Sequence, residues 1–197
     1  NLAQENEKII LFAGRLIKKK GVYELVKAWN FVGKKHPQYK LIMVGGDSIN
    51  ENGSSVLSEL KGLSDSNSLK NIEFIGQLNL ENLRKLFIKS EICIFPSHTE
   101  AFSMVILDSL AHGKPTIYSK IDPAYEIIEH GKNGLLCDPH SSSDISKNIL
   151  QLIENKDLRE RVSFGGRGTI QNKFSIEKIG KDNISYFNEC KKEYQNS

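Results

Sequence analysis

Residues 91–119 read EICIFPSHTEAFSMVILDSLAHGKPTIYS, and this stretch decides the fold class. Its apolar run Ile92–Phe95 is typical of a strand that is buried on both faces. From Phe102 onward the apolar side chains take the spacing of a helix, which the Gly-Lys-Pro of residues 113–115 would end. A second strand follows at residues 116–118. The stretch therefore predicts a strand–helix–strand unit of a parallel sheet.

The rest of the chain repeats this alternation. Further strands are predicted at residues 8–13, 41–44, 72–75 and 135–137. Helices are predicted near residues 22–32, 81–88, 125–129, 145–153, 156–171 and 176–194. Residues 48–70 are rich in Ser, Asn and Gly, which predicts a surface excursion with one weak helix near Val56–Leu63. Strands alternating with helices indicate an α/β fold with a doubly wound, parallel, Rossmann-like sheet and a C-terminal helix.

Composition and charge exclude several classes of function. The 197 residues are 39% hydrophobic and 26% charged, as in ordinary globular proteins. The net charge of +3 is uneven, because residues 1–40 hold nine Lys or Arg and three Glu, a local charge of +6. This bias indicates either a solvated basic face or attraction to an anionic ligand. Nucleic-acid binding would show a stronger bias with interleaved aromatic residues, and neither a dinucleotide fingerprint nor a P-loop is present.

Cysteines, histidines and apolar runs point to a cytoplasmic protein. Cys93, Cys137 and Cys190 are too few and scattered for a disulfide framework or a zinc site, and the first two lie in core-like runs. The five histidines show no metal-ligand spacing, and only His98 lies in the turn after the central strand. The longest apolar run, residues 9–13, is too short to span a membrane, and no signal peptide is visible. The chain opens without Met, so we expect a piece of a longer protein.

The turn between the central strand and its helix carries the candidate chemistry. The amides of Phe102, Ser103 and Met104 would lack intrahelical partners, and the helix dipole would favour an anion there. Glu100 would repel a bare phosphate but accept hydrogen bonds from hydroxyls, and Asp108 follows about two turns further along. Phosphate-binding amides beside hydroxyl-accepting carboxylates suggest a nucleotide sugar as ligand. A helix-start role for Glu100 and a surface role for Asp108 are equally open.

Two cations come directly after the first strand, where a doubly wound fold places ligand phosphates. Arg15 offers a planar fork for phosphate oxygens and Lys20 a compact point charge. The alternative is that Lys18 to Lys20 form a solvated basic run. A glycosidase pair made of Glu100 and Asp108 is disfavoured, since a backbone separation of roughly 12 Å does not favour carboxyl groups about 5–9.5 Å apart, as such pairs have.

Three segments together resemble the C-terminal, donor-binding domain of a GT-B glycosyltransferase of family 4, also called glycosyl transferases group 1. GRLIKKKG of residues 14–21 is similar to the family's G-R-L-x-x-x-K-G element. FPSHTEAFSMVILDSLAHGKP of residues 95–115 resembles its P-S-x-x-E-x-F segment and the A-x-G-x-P that follows. YEIIEHGKNGLLCDP of residues 125–139 resembles its E-I-I-x-x-G-x-N-G-L-L tail. The likeness covers nearly the whole chain, in the family's order and spacing.

The resemblance implies a role for each matching residue. Arg15 and Lys20 would hold the donor diphosphate and stabilise the departing nucleoside diphosphate, while Glu100 would contact the transferred sugar. Asp108 would bind the ribose. The other implied donor-binding residues are Gly14, Phe102, Ser103, Met104 and Val105, with Gln77 and Leu78 near the base. Such enzymes retain the anomeric configuration and generally need neither a metal nor a cofactor.

The sequence departs from the family pattern at three places. Asp108 stands where Glu is usual, and Ser103 stands where a glycine is often found. The G-G-x-P-E turn of the family appears as DPAYE in residues 122–126, without its glycines. These departures keep two alternatives open: a non-catalytic binding module of the same fold, and another GT-B enzyme acting on a nucleotide sugar, such as an epimerase.

The resemblance also implies what the whole protein would contain. Residues 1–174 would form the nucleotide-sugar-binding domain, and the helix within 175–197 would pack partly against an N-terminal acceptor domain that is absent here. We expect the chain alone to bind nucleotide without transferring sugar. The acceptor would be a glycan or lipid-linked molecule in polysaccharide or glycolipid synthesis. Localisation would be cytoplasmic, with peripheral association at the inner face of the cell membrane as a further expectation.

Overall fold

A six-stranded parallel sheet forms the centre of the molecule in the computed structural model, which describes residues 7–65, 68–122 and 124–195. The strands are β1 (Lys8–Ala13), β2 (Tyr39–Val44), β3 (Ile72–Gly76), β4 (Ile92–Phe95), β5 (Thr116–Ser119) and β6 (Leu135–Cys137). Their order across the sheet is β3-β2-β1-β4-β5-β6, and every neighbouring pair is parallel. The order reverses between β1 and β4, so the doubly wound prediction is confirmed and the switch point lies there.

Helices cover both faces of the sheet. They are α1 (Val22–Lys35), α2 (Val56–Leu63), α3 (Leu80–Lys89), α4 (Met104–Ala111), α5 (Ala124–Ile127), α6 (Ser142–Glu154), α7 (Lys156–Thr169) and α8 (Ile176–Gln195). Four of them begin at a polar residue whose side chain accepts from a backbone N–H three residues on, which satisfies a donor that the helix leaves free. These N-caps are Ser55, Asn79, Ser141 and Asn155.

Two apolar layers enclose the sheet. One layer joins α1, α2, α6 and α7 to the strands around the fully buried Trp29. The other joins α3, α4 and α5 to the opposite face around Tyr118, whose side chain is 0% exposed. Cys93 and Cys137 lie in this core as predicted, and burial raises the pKa of the Cys137 thiol to about 12.

The element boundaries differ from the predicted ones in a few places. β2 begins two residues early, because Tyr39 still pairs with Lys8 of β1. The helix of the 48–70 segment forms at the predicted residues, but it is more than a surface excursion, since Val56 and Leu60 are fully buried. α7 ends at Thr169 and continues as a π-helical turn, Ile170–Phe174.

The last helix lies apart from this core. α8 has no buried residue, and its side chains Ile176, Ile184, Phe187 and Tyr194 are all more than 60% exposed. Its predicted packing against a further domain stays a prediction. None of the helices in the described residues is long and apolar enough to cross a membrane. Pro123 of the altered 122–126 turn, like residues 1–6, 66–67 and 196–197, lies outside the described residues.

Candidate functional site

The loops that follow β1, β2 and β3 lie side by side at the carboxyl edge of the sheet. Backbone hydrogen bonds continue the parallel ladder past the strands: Gly14 N–H donates to Val44 O (2.9 Å), and Gly45 N–H to Gly76 O (2.8 Å). A Cβ on Gly45 would lie 1.8 Å from the Gly14 carbonyl oxygen, so only glycine allows these two loops to touch. The first three loops are thereby held as one surface.

A cleft of about 450 Å³ opens between these loops and the start of α4. It contains five of the residues that the sequence predicted as binding residues, namely Gly14, Arg15, Gln77, Leu78 and Val105. It also contains residues that sequence reasoning did not place in a site, namely Ala13, Val44, Gly45, Gly46, Asp47 and Leu83. Five of these six lie at or directly after the carboxyl end of β1 or β2, so the rule that led to Arg15 would have found these five if applied to β2 as well.

Asp47 shapes the wall of the cleft and is already occupied by protein donors. Its Oδ1 accepts from the N–H groups of Ser48 and Leu57 (both 2.8 Å), and its Oδ2 accepts from Ser55 Oγ (2.6 Å). These hydrogen bonds, that of Ser55 first, lower the pKa of Asp47. The carboxylate therefore anchors the loop after β2 rather than offering itself to a ligand.

Beside the cleft, Lys20 and Glu100 meet at the switch point between β1 and β4. Lys20 Nζ donates to Glu100 Oε1, and Ser97 Oγ donates to the same oxygen (3.0 Å). Glu100 Oε2 accepts no hydrogen bond from the described residues. The Lys20 stem runs past the floor of the cleft, since its Cδ lies 4.0 Å from the position that a Cβ on Gly14 would take. The ion pair therefore borders the cleft without lining it.

Arg15 is the second cation of this edge. Its side chain lines the cleft and is exposed. Within the described part of the chain, it forms no ion pair. An anion entering the cleft would thus meet one unpaired guanidinium and, next to it, an ammonium that is shared with a carboxylate.

The start of α4 differs from its prediction. The helix begins at Met104, with Ser103 as its N-cap, so Phe102 lies before the helix and its ring packs toward Phe174 (centroids 6.1 Å apart). The apolar spacing from Phe102 to Val105 was misleading, because a partly exposed side chain in a loop matched the helical period by position alone. The N–H groups of Met104 and Val105 remain available at the helix start.

The remaining predicted residues do not line the cleft. Phe102 and Met104 are 44% and 64% exposed, Ser103 is buried, and Asp108 is half-buried on α4. The Asp108 backbone oxygen accepts from the N–H of His112 (3.0 Å), while its carboxylate has no partner among the described residues. Arg15, Lys20, Glu100 and the cleft lie together at one edge of the sheet. The role of Asp108 remains a prediction.

His98 ties three loops together beside Glu100. Its N–H donates to Lys19 O (2.8 Å), its ring hydrogen-bonds to Glu24 of α1 (3.2 Å), and the ring lies 4.3 Å from that of His140. This bonding holds the 97–100 turn in place. In the ranges 7–65, 68–122 and 124–195, no three His, Cys, Asp or Glu side chains are grouped as a metal site.

The arrangement combines three chemical environments within one edge of the sheet. Cations and helix-start amides suit a phosphate, because positive charge and free N–H groups converge on it. The apolar side chains of Leu78, Leu83 and Val105 suit a flat ring. Glu100, with one free carboxylate oxygen, suits a hydroxyl donor.

Comparisons with known proteins point to one family. A family model described as glycosyl transferases group 1 matches residues 1–168. The chain is 30% identical over 179 residues to an uncharacterized glycosyltransferase of Haemophilus influenzae, covering 90% of the chain and 48% of that protein. It is 27% identical over 195 residues to CapM of Staphylococcus aureus, a capsular polysaccharide biosynthesis glycosyltransferase, with coverages of 94% and 47%.

Among solved structures, the chain is similar to the C-terminal domain of a glycosyl transferase group 1 family protein, LpcC, from Francisella tularensis. The TM-score is 0.76 at 27% identity, and the match covers 86% of each chain. The chain spans about half the length of the curated relatives it matches.

Proposed function

Because the chain belongs to the glycosyl transferases group 1 family, we propose that it is the donor-binding half of a retaining glycosyltransferase. Its sheet and helices form the Rossmann-like half of a GT-B architecture. The whole enzyme would transfer a hexosyl group from a nucleoside-diphosphate sugar to an acceptor, in polysaccharide or glycolipid synthesis. The acceptor would be a glycan or a lipid-linked molecule bound largely by a further domain.

One observation carries this proposal: Arg15 and the Lys20–Glu100 pair border an apolar-walled cleft at the switch point of the sheet. The base would lie against Leu78 and Leu83, near Gln77. The diphosphate would lie on the two cations, which stabilise the negative charge that develops on the leaving group. Charge in a site shielded from water by the bound donor is stabilised more strongly than charge in bulk solvent.

Glu100 and Asp108 would recognise hydroxyl groups at the two ends of the diphosphate. A carboxylate accepts hydrogen bonds and donates none at neutral pH, so Glu100 selects for a sugar that presents hydroxyls toward it. Asp108 would accept from the ribose hydroxyls. Met104 and Val105 would donate their free backbone N–H groups to the phosphate from the start of α4.

A thermal-shift titration with UDP, GDP, ADP and CMP tests the proposal. A ligand that binds only the folded state raises the melting temperature once its concentration exceeds its Kd. We expect a shift with one nucleotide, and its loss in Arg15→Ala/Lys20→Ala. The matched control is Lys18→Ala/Lys19→Ala, which removes the same charge from exposed neighbours and should keep the shift.

Two outcomes would contradict the proposal. The first is the absence of a shift with any nucleotide at millimolar concentration, both for this chain and for the full-length protein. The second is a shift that the Arg15→Ala/Lys20→Ala variant retains. We also propose that transfer needs no metal, so EDTA should leave nucleotide binding unchanged. Robust sugar transfer by the isolated chain would refute the expectation that it binds without catalysing.

A further inference from the structure

The hydroxyl of Tyr118 is a buried donor without a hydrogen-bond partner in the described part of the chain. Tyr118 is 0% exposed and lies near the carboxyl end of β5, where it pairs in register with Phe95 of β4. β4 leads directly into the turn that carries Glu100. A buried hydroxyl without a hydrogen-bond partner destabilises the folded state, so its placement beside the turn of Glu100 calls for a partner.

The strand register brings the turn of Glu100 toward this hydroxyl: Phe95, the register partner of Tyr118, is followed two residues later by Ser97, whose Oγ donates to Glu100 Oε1 (3.0 Å). Burial first, and then the charge of Glu100, raise the pKa of Tyr118 to about 12. The phenol therefore keeps its proton at neutral pH and is able to donate. On the other side, Glu100 Oε1 is occupied by Lys20 and Ser97, while Oε2 accepts nothing from the described residues.

We propose that Tyr118 is a positioning residue that donates a hydrogen bond to Glu100 once Lys20 leaves it for the donor diphosphate. This inference rests on the proposed function, in which Lys20 binds that diphosphate. In the empty site Lys20 holds the carboxylate. In the occupied site the ammonium turns to the phosphate, and Glu100 would lose its main partner as it engages the sugar. The phenol then holds Oε2 in place from below, and Ser97 continues to hold Oε1.

This hand-over of Glu100 from Lys20 to Tyr118 has a consequence that can be measured without a ligand. Lys20→Ala removes the ammonium from Glu100 just as a diphosphate would, so Tyr118 should pair with Glu100 already in the empty variant. Tyr118→Phe should then lower the Tm of the Lys20→Ala protein by roughly 3–6 °C, the effect of losing a hydrogen bond to a charged group. In the wild-type protein, where the hydroxyl is unpartnered, the same substitution should leave the Tm unchanged or slightly higher.

Tyr39→Phe is the matched control. Tyr39 is also a buried strand tyrosine, and its hydroxyl donates to Glu91 (2.8 Å), far from Lys20. Its loss should lower the Tm equally in the wild-type and Lys20→Ala backgrounds. Lys20→Met, which keeps the length of the stem without the charge, replaces Lys20→Ala if the latter folds poorly. Equal effects of Tyr118→Phe in both backgrounds would overturn the proposal, since a packing role alone predicts that result.

Calorimetric titration separates this inference from the proposed function. With the nucleoside diphosphate that shifts the Tm of the wild-type chain, Tyr118→Phe should weaken binding about tenfold, and Glu100→Ala should abolish that dependence. An unchanged affinity in Tyr118→Phe would overturn the hand-over even if the Tm coupling is found. If neither this chain nor the full-length protein binds a nucleotide, the proposed function is refuted, and with it the link to the donor, while the ligand-free Tm cycle still decides whether Tyr118 pairs with Glu100.

Discussion

Lys20 Nζ donates a hydrogen bond to Glu100 Oε1, although eighty residues separate the two in sequence. The contact exists because β1 and β4 are neighbours in the sheet, so the loops that follow them meet at one edge. The two side chains are 22% and 14% exposed, which places the pair between surface and interior. A diphosphate would have to compete with this carboxylate for Lys20, while Arg15 offers its charge without such competition.

Gly21 is expected to tolerate no side chain, because it holds the loop of Lys20 against the turn of Glu100. Its φ is +67°, and a Cβ there would lie 1.8 Å from the Pro96 carbonyl oxygen. Gly53 has a φ of +83° with nothing within 4 Å of a Cβ, so Gly53→Ala isolates the backbone strain. In urea denaturation we expect a loss of about 1 kcal/mol for Gly53→Ala and at least about 3 kcal/mol for Gly21→Ala. Equal losses would show that the contact with Pro96 is easily relieved.

Asp108→Glu should tighten nucleotide binding. The half-buried Asp108 carboxylate has no partner among the described residues, and one more methylene would carry it toward the ribose hydroxyls. A direct hydrogen bond in place of a longer or water-bridged one is worth about 1 kcal/mol, so calorimetry should show Kd falling roughly fivefold. Asp157→Glu on exposed α7 serves as control and should leave Kd unchanged. A clear weakening by Asp108→Glu would contradict the ribose role.

Glu59 should make the stability of the protein sensitive to acid. Hydrogen bonds from Ser54, Tyr23 and Asn50 lower its pKa from 4.5 to about 2 in the folded protein. The ionised form is therefore favoured by folding, and its contribution is complete above about pH 4.5 and lost as the pH falls toward 2. Denaturation midpoints of Glu59→Gln should show less loss between pH 5 and 2 than those of the wild type. Glu51→Gln, in the same loop, should follow the wild-type curve, and a Glu59→Gln curve that does the same would refute this role.

Removal of α8 should leave the rest of the domain stable. None of its residues is buried, so ending the chain after Phe174 should change the Tm by less than about 2 °C and reduce the exposed apolar surface. Ending it after Thr169 instead also removes Ile170 and Phe174, which pack against the α3–α4 layer, and should lower the Tm strongly. Loss of a cooperative transition in the variant that ends after Phe174 would place the domain boundary elsewhere than at residue 174.

Much of the fold could be predicted from the sequence, because strands that are buried on both faces appear as short runs of apolar residues. Ile92–Phe95 and Lys8–Ala13 are almost wholly apolar, and the helices between such runs keep a period near 3.6. The errors lie where this pattern is ambiguous. Phe102 fits the helical period but stands in a loop, and the strand pairing of Tyr39 depends on its neighbour Lys8 rather than on its own segment.

The site could be predicted from the sequence only in part, because it is formed by loops that are distant in the chain and meet at one edge of the sheet. Arg15, Lys20 and Glu100 were found from their place after predicted strands, and from the family resemblance. Gly45 and Asp47 follow β2 in the same way, yet no charge pattern or motif marked them as cleft residues. Tyr118 was read only as part of a strand, since nothing in a short apolar run reveals that a hydroxyl lacks a partner.

The amino-acid sequence by itself determined the alternation of strands and helices, and with it the edge at which we propose that a ligand binds, because local periodicity and strand-end loops are properties of short segments. The tertiary structure alone decided which distant groups share that edge. Lys20 meets Glu100, and Tyr118 lies buried next to the strand that leads to the same carboxylate, only because the strand order places β1, β4 and β5 in succession. Such pairings depend on register and packing between segments far apart in the chain, which no single segment encodes.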